Sequence, residues 1–278
     1  YIDILFRKRT QNPQPPTPKM PTFQELVNSL QKQYPQGEAK SIIKLYLEKR
    51  FSLTFVDVCL GGLSSLDDAQ LQDLERDINL MKDGVPVQYV LGTAEFYGRD
   101  FKVEEGVLIP RPETEGIVEI IKNMTSEAER NVTAQGKSFS DCAKAQKKLR
   151  ILDIGCGSGC ISVTLALETC SQVMAWDISD TALKMTKRNA EDLSADVSVE
   201  RQDALLAPED DVEKWDFIVS NPPYICKREA MEMEKNVLEH EPSLALFVPD
   251  ERIAGFERRL GFHAGISSTT KILRSALI

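Results

Sequence analysis

The sequence predicts an α/β protein in which a small helical bundle precedes a parallel sheet with helices on its faces. Three observations predict this architecture. Apolar residues recur at helical spacing between residues 21 and 84. After Leu149, short apolar runs alternate with helical segments, which is the pattern of strand–helix–strand units. The chain has 278 residues, which is enough for one large or two modest domains.

Composition narrows the class of protein. Hydrophobic residues make up 42% of the chain and charged residues 28%, which is ordinary for a globular protein and argues against wholesale disorder. The net charge of −9 disfavours tight, nonspecific binding of nucleic acid. The sequence has no apolar run of about 18 residues, so it predicts no membrane-spanning helix. Six cysteines without a CxxC pair and only two histidines predict no metal site and a reducing, cytoplasmic environment.

The first segment, residues 1–20, contains four prolines and begins without Met. Proline lacks a backbone donor and fixes its own φ angle, so we expect no regular structure and interpret this segment as a disordered tail. A targeting segment is the alternative, but the long apolar core of a signal peptide is missing.

A helical domain is predicted over residues 21–85. Thr22 and Glu25 have the spacing of a capping box, which predicts a helix start. Three apolar faces at helical spacing follow. They are Phe23, Leu26, Val27 and Leu30; Ala39, Ile42, Ile43, Tyr46 and Leu47; and Leu71, Leu74, Ile78 and Met81. No residue of this domain carries obvious chemistry, so we expect it to serve packing or partner recognition.

Residues 86–115 are predicted to form a linker of short strands and turns. Strands are expected at 87–92 and 95–98, and a further hairpin at 101–109. The prolines of the block Pro110–Glu115 predict an extended chain that presents Arg111 and Glu113. This block is either a lid over a ligand or a domain linker. The second domain, 116–278, is expected to carry strands at 149–154, 172–176, 197–201 and 215–220, with helices near 158–169 and 180–193.

The first chemical motif is the loop Asp153–Gly159, which lies between a predicted strand and a predicted helix. Its glycines allow the backbone to turn sharply and to approach a ligand closely. Asp177 ends the next strand, where an acidic residue would hold a pair of ribose hydroxyls. Cys160 stands where a dinucleotide motif would need its last glycine. This spacing favours a nucleoside without pyrophosphate, such as S-adenosylmethionine with its ammonium near Asp153; a plain strand-to-helix turn is the alternative.

Two further motifs follow later strands. The third strand ends in Gln202-Asp203-Ala204, and an acidic or amide side chain there is expected near the adenine, although aspartate is also common in ordinary turns. The motif Asn221–Tyr224 comes directly after the fourth strand. Its prolines remove two donors, so the Asn221 side-chain carbonyl and the Pro222 main-chain carbonyl remain as acceptors for the two hydrogens of a planar amino group. Tyr224 would offer an aromatic face, and a simple proline turn is the alternative.

These motifs together resemble the HemK-type release factor glutamine methyltransferases, over roughly residues 21–250. Asn-Pro-Pro-Tyr alone is shared with enzymes that methylate amino groups of adenine or cytosine. The Pro-Arg-Pro-Glu-Thr block is more specific to this family. The blocks that occur in the family's order are 88–92, 110–115, 153–159, 221–224 and 241–246.

The resemblance implies a Rossmann-like class I methyltransferase sheet and transfer of a methyl group from S-adenosylmethionine. The acceptor would be the side-chain amide nitrogen of the glutamine in a Gly-Gly-Gln motif of peptide-chain release factors, which the domain at 21–85 would help to recognise. The implied catalytic residues are Asn221, Pro222 and Tyr224, and Pro223 joins them in binding the glutamine. The implied cofactor residues are Asp153, Gly155, Cys156, Gly157, Ser158, Gly159, Asp177, Asp203, Ala204 and Asn221.

The resemblance stops after Asp250. Residues 251–278 are too few to supply the further strands and helices that complete the family's sheet, so we expect a truncated or frame-shifted end with one short helix around residues 253–260 and an open sheet edge. Two alternatives follow. One is an amino-methyltransferase that acts on a nucleic-acid base, which the net charge of −9 disfavours. The other is an inactive homologue that binds cofactor or partner only.

Overall fold

A computed structural model describes residues 20–133, 148–204, 206, 215–221 and 271–274, and for 127–133 and 271–274 it describes the backbone only. The chain divides into two compact units, Tyr1–Lys82 and Asp83–Ile278. The predicted tail at 1–20 lies, except for Met20, outside the described residues. None of the described helices is long and apolar enough to cross a membrane.

The described part of the first unit consists of helices. Each of the three predicted apolar faces forms one side of a helix, and most of its residues are buried. A short 3-10 turn, Gly62–Ser65, joins the third helix to the fourth. The helices are α1 (Phe23–Leu30), α2 (Gln36–Phe51), α3 (Phe55–Cys59) and α4 (Asp68–Lys82).

The predicted capping box is confirmed at the start of α1. The Thr22 hydroxyl accepts a hydrogen bond from the Glu25 backbone N–H at 3.2 Å, and the Glu25 carboxylate accepts one from the Thr22 backbone N–H at 2.7 Å. These bonds satisfy donors that a helix start otherwise leaves free. Between α2 and α4, the buried Tyr46 hydroxyl donates to Asp77 Oδ2 at 2.9 Å. Burial raises the pKa of Tyr46 well above its ordinary value, so the hydroxyl keeps its proton.

The second unit begins with a helix where a strand was predicted. Residues Val87–Leu91 form helix α5, which follows Pro86 and ends at Gly92 in the left-handed conformation. The predicted strand at 87–92 is therefore wrong, because a short apolar run does not distinguish a strand from a helix turn. The flanking proline and glycine instead mark a helix start and a helix end.

A β-hairpin follows α5. Strands β1 (Thr93–Phe96) and β2 (Arg99–Lys102) pair antiparallel around Tyr97 and Gly98. Both turn residues have positive φ angles, 52° and 70°, which is the geometry of a tight two-residue hairpin turn. The further hairpin predicted at 101–109 does not form, since residues 103–109 contain no strand.

The remaining described elements build a parallel sheet with helices. The predicted strands and helices at 149–220 are confirmed to within about two residues. The helices are α6 (Glu115–Thr133), α7 (Cys160–Glu168) and α8 (Asp180–Asp192). The strands are β3 (Arg150–Ile154), β4 (Gln172–Asp177), β5 (Val197–Arg201), β6 (Phe217–Ser220) and β7 (Lys271–Arg274), in the order β5-β4-β3-β6-β7.

Side chains alternate between the two faces of the sheet, and on the inner strands β3 and β6 both faces are buried. One face carries Ile151, Val173 and Phe217, which pack against apolar residues of α6, α7 and the hairpin. The other face carries Leu152 and Ile218, which lie in a cluster with Trp176 and Trp215. Parallel strands covered on both sides end at a common edge, and ligands of such sheets bind at the carboxyl ends of the strands.

Strand β7 corrects one expectation about the end of the chain. It pairs parallel with β6, with Phe217 opposite Lys271 and Ser220 opposite Arg274. The last residues therefore do supply a strand, and β6 is not an open edge. The short helix predicted around residues 253–260 lies outside the described residues.

Candidate active site

The glycine loop joins β3 to α7 at the carboxyl edge of the sheet. Gly155, Gly157 and Gly159 all adopt positive φ angles, of 74°, 56° and 78°, which other residues adopt at a cost. The backbone N–H groups of Gly155 and Cys156 donate to the Trp176 carbonyl at 2.8 and 3.1 Å. The loop is therefore fixed against the end of the neighbouring strand β4 by backbone bonds.

Space around the glycines differs along the loop. A Cβ atom at Gly155 or Gly157 would meet no described atom within 4 Å, so this side of the loop is open to a ligand. A Cβ atom at Gly159 would lie 2.8 Å from Cγ2 of Thr186. The first two glycines leave room for a ligand to approach the backbone, whereas the third lets helix α8 pack closely.

Helix α8 holds the underside of the loop through two side chains that the sequence analysis did not single out. The Thr186 hydroxyl donates to the Gly157 carbonyl at 3.0 Å. The Asn189 side-chain amide donates to the Ser158 carbonyl at 2.8 Å and is almost fully buried. The only available signal was two polar residues on the buried face of a helix that also carries Leu183 and Ala190.

Asn189 also connects the loop to the hairpin. Its Nδ2 donates to the Lys102 carbonyl at 3.0 Å, and its Oδ1 accepts a hydrogen bond from the Lys102 backbone N–H at 2.7 Å. One side chain thus links strand β2, helix α8 and the glycine loop.

Asp177 lies where the sequence analysis expected it, at the end of β4 beside the loop. Its Oδ2 accepts a hydrogen bond from the Gly157 backbone N–H at 3.0 Å, and its Oδ1 accepts one from the Ser179 N–H at 2.9 Å. The carboxylate is half-buried. Two backbone donors fix its orientation, and its remaining lone pairs can accept hydroxyl protons.

Asp153 is fully buried beneath the loop. Its Oδ2 accepts a hydrogen bond from the Ser162 N–H in the first turn of α7 at 3.1 Å, and its Oδ1 has no partner among the described residues. Burial raises the pKa of this carboxyl group to about 7, and the Ser162 bonds only partly oppose that rise. A buried acceptor without a partner is costly and fits a site that a donor completes.

The two cysteines of this region are buried free thiols. Burial raises the pKa of Cys160 to about 12 and that of Cys156 further, so both remain protonated at neutral pH. A thiol is a nucleophile only as the thiolate. We therefore expect Cys156 to contribute its shape and backbone to the loop.

Ala204 packs against the cluster that contains Trp176 and Trp215, next to the end of β5. Asp203 precedes it, and its carbonyl accepts a hydrogen bond from the Leu206 N–H at 2.9 Å. These positions lie at the same sheet edge as Asp177, since the Gln202 N–H donates to the Asp177 carbonyl at 3.1 Å.

Asn221 directly follows β6, whose last residue pairs with the last residue of β3. Its Nδ2 donates to the Thr114 hydroxyl oxygen at 3.3 Å. Its Oδ1 is buried and has no partner among the described residues. The other predicted residues of this motif, Pro222, Pro223 and Tyr224, lie outside the described residues.

The block Pro110–Glu115 supplies that Thr114 contact. Pro112–Thr114 forms a 3-10 turn that leads directly into α6. The Glu115 carboxylate accepts a hydrogen bond from the Tyr97 backbone N–H at 2.8 Å, at the turn of the hairpin. The sequence left this block open between a lid and a linker. The structure joins it to both the hairpin and Asn221.

Comparison with known proteins identifies the family. Residues 22–92 match the PrmC N-terminal domain, and residues 120–242 match the Methyltransferase small domain. A Bacteroides thetaiotaomicron protein named release factor glutamine methyltransferase is 40% identical over 233 residues, which are 84% of this chain and 77% of that protein. A Flavobacterium psychrophilum protein of the same name is 38% identical over 238 residues, which are 85% of this chain and 78% of that protein.

A third relative of that name, from Bacillus subtilis, is 43% identical over 182 residues, which are 65% of this chain and 58% of that protein. The resemblance drawn from the sequence motifs is confirmed by these matches. The chain belongs to the release factor glutamine methyltransferase family.

Proposed function

We propose that this chain transfers a methyl group from S-adenosylmethionine to the side-chain amide nitrogen of the glutamine in the Gly-Gly-Gln motif of peptide-chain release factors. One observation of the site supports it most: the Asn221 carbonyl oxygen is buried beside the glycine loop, with no partner among the described residues. That oxygen can accept a proton of an amide NH2 group. Membership of the release factor glutamine methyltransferase family supports a release factor glutamine as the source of that amide.

The glycine loop fits the cofactor. Open space at Gly155 and Gly157 lets a nucleoside approach the backbone, and Asp177 offers a fixed carboxylate for ribose hydroxyls. Ala204 provides a small apolar surface for the adenine. Asp153, Cys156, Ser158, Gly159 and Asp203 form or support the same edge. When bound, S-adenosylmethionine supplies a methyl group that its sulfonium has already made electrophilic.

The remaining task of the chain is to orient the glutamine amide. An amide nitrogen is a poor nucleophile because its lone pair is delocalised into the carbonyl group. Asn221 Oδ1 and the Pro222 carbonyl accept the two N–H groups, and they stabilise the positive charge that grows on nitrogen in the transition state. Tyr224 packs against the planar group. Positioning of this kind needs no strong general base.

We assign recognition of the release factor to the helical unit, of which α1–α4 are described. It holds no candidate catalytic residue, whereas every candidate residue lies in the second unit. Release factors act on ribosomes, so we place the enzyme in the cytoplasm.

The first test locates the transferred label. The purified chain is incubated with methyl-labelled S-adenosylmethionine, an unmodified release factor and a DNA control. Label on the Gly-Gly-Gln glutamine supports the proposal. Label on DNA assigns the chain to base methylation, and label on neither identifies it as an inactive homologue.

Asn221→Ala tests the proposed role of the carbonyl acceptor. We expect the turnover rate to fall by about 100-fold or more, which is typical for loss of one transition-state hydrogen-bonding group. Cofactor affinity, measured by calorimetry, is expected to change less than about threefold, because a group that acts on the transition state adds little to ground-state binding. Asn123→Ala, on the exposed surface of α6, is the matched control. Equal losses of rate and affinity contradict the role.

A further inference from the structure

The hydrogen bond between Asn221 and Thr114 joins two parts of the chain that are 107 residues apart. Asn221 follows strand β6, and Thr114 ends the 3-10 turn before helix α6. Thr114 is buried, with 2% of its surface exposed. We propose that Thr114 is a positioning residue, whose hydroxyl oxygen holds the Asn221 amide with its carbonyl oxygen turned toward the substrate.

The two ends of an asparagine side chain have almost the same shape but opposite hydrogen-bonding character. The oxygen accepts, and the nitrogen donates two protons. Only the oxygen end can bind the NH2 group of a substrate amide, since an NH2 group facing another NH2 group places donors against donors. A side chain free to flip would therefore present the wrong end part of the time.

In the structure the Asn221 amide adopts the orientation in which the Thr114 hydroxyl acts as the acceptor. Nδ2 faces the Thr114 hydroxyl oxygen at 3.3 Å, which leaves Oδ1 buried and without a partner among the described residues. The amide proton used on Thr114 satisfies one donor of Asn221. Asn221 Oδ1 stays available as an acceptor. Because it is buried without a partner in the described part of the chain, a hydrogen bond from a substrate N–H is favourable there.

Thr114 can do this because its own position is fixed from two sides. Its backbone N–H donates to the Arg111 carbonyl at 3.0 Å within the 3-10 turn. The next residue, Glu115, accepts a hydrogen bond from the Tyr97 N–H at the hairpin turn, at 2.8 Å. A group that orients another side chain is effective only when its own support is rigid. The hairpin and the Pro110–Glu115 block together provide that support.

The inference rests on the proposed function and deepens it at the same site. Thr114→Val removes the hydroxyl and keeps the shape, whereas Thr114→Ser keeps the hydroxyl. We expect the valine variant to lower turnover of the release factor about tenfold, the equivalent of about 1.4 kcal/mol. Its cofactor affinity is expected to stay within about twofold, and the serine variant within about threefold of the parent chain in turnover. Thr114→Ala removes the hydroxyl with less bulk and takes the place of valine if that variant does not fold.

A second readout is independent of activity. The side-chain NH2 signals of Asn221 are identified in a nitrogen-15 spectrum by their loss in Asn221→Ala. The hydrogen bond to Thr114 is expected to slow exchange of one of these protons with solvent. That protection is expected to disappear in Thr114→Val and to persist in Thr114→Ser.

Three results would overturn the inference: unchanged NH2 protection in Thr114→Val, equal loss of turnover in the valine and serine variants, or a parallel loss of cofactor affinity. Equal losses would assign Thr114 a packing role only. If the parent chain methylates no release factor, the proposed function fails, and the NH2 exchange still decides whether Thr114 orients Asn221.

Discussion

The glycine loop and the end of strand β6 lie side by side at one edge of the sheet, because Ile154 and Ser220 pair across it. The two regions differ in how many hydrogen bonds hold them. Backbone hydrogen bonds to Trp176, and contacts from Thr186 and Asn189, fix the loop. Among the described residues, a single side-chain hydrogen bond, from Asn221 to Thr114, orients the acceptor amide.

This difference predicts that changes in one region affect folding and cofactor affinity, and that changes in the other affect turnover. A loop fixed by its backbone and by close packing tolerates no side chain at its tightest point, so changes there alter folding and cofactor affinity together. An amide that is oriented by one hydroxyl group can lose its orientation with little effect on folding or on cofactor affinity. We therefore expect variants of the loop region to lower the free energy of unfolding and variants around Asn221 to lower turnover.

The largest effect on stability is expected for Gly159→Ala. The new Cβ would lie 2.8 Å from Thr186 Cγ2, at a backbone φ of 78°. Left-handed strain and overpacking together cost about 3 kcal/mol of the free energy of unfolding. Urea denaturation measures this loss.

Gly155→Ala is the matched control for Gly159→Ala. Its φ of 74° is similar, but its Cβ would meet no described atom within 4 Å. We expect only the conformational cost, about 1–2 kcal/mol. Equal losses of the free energy of unfolding in the two variants would show that close packing of α8 adds nothing to the cost at Gly159.

The next largest effect is expected for Asn189→Ala. It removes the side chain that bonds to Ser158 and to both polar backbone groups of Lys102. Buried backbone groups left without partners cost about 2 kcal/mol or more in the free energy of unfolding, measured in urea. Arg188→Ala is the control on the same helix; its ion pair with Asp192 is exposed, so we expect less than about 0.5 kcal/mol. A loss at Asn189 as small as this would refute its bridging role.

Much of this architecture could be predicted from the sequence because its signals are local. The capping box at Thr22, the strands β3–β6 and the glycine loop each lie within a short window whose pattern has a physical meaning. Helix α5 was mistaken for a strand because Val87–Leu91 is too short for its period to show.

The supports of the site could not be predicted, because they depend on contacts between distant segments. Thr186 and Asn189 become partners of the loop only when α8 packs beneath it. Thr114 meets Asn221 only when β6 inserts beside β3. Strand β7 likewise has no strong pattern of its own and is defined by its pairing with β6.

The raised pKa of Asp153, beneath the glycine loop, predicts that the free energy of unfolding depends on pH. Its pKa is about 7 in the folded chain, above the ordinary value of 3.8. The folded state thus binds more protons than the unfolded state between about pH 4 and 7, so this group makes stability fall as pH rises through that window. Asp153→Asn removes the titration.

The measurement for Asp153 is urea denaturation of both chains at pH 5 and pH 8. We expect the parent chain to lose on the order of 2 kcal/mol relative to Asp153→Asn between these values. The Asp196→Asn variant, whose carboxyl group is exposed, shows whether general charge effects explain the change. A pH-independent difference between parent and Asp153→Asn would mean that Asp153 is ionised throughout.

The smallest effect is expected for Ser220→Ala, at the border between the two regions. The buried Ser220 hydroxyl donates to the Ile154 carbonyl at 2.8 Å. Its loss is expected to cost about 1 kcal/mol in the free energy of unfolding, with turnover changed less than about threefold. A large fall in turnover with unchanged stability would extend the orienting function of Thr114 to this residue. It would also contradict the separation of stability from turnover between the two regions.

Asn189 meets the backbone N–H and the backbone carbonyl of Lys102 with an acceptor and a donor at once, as a neighbouring strand would. A side-chain amide therefore continues the ladder of β2 into a helix that itself supports the glycine loop. We expect this link to couple local opening of the hairpin to local opening of the loop. We therefore expect cofactor binding to slow hydrogen exchange at the Lys102 amide, which would report occupancy of the loop from a strand outside it.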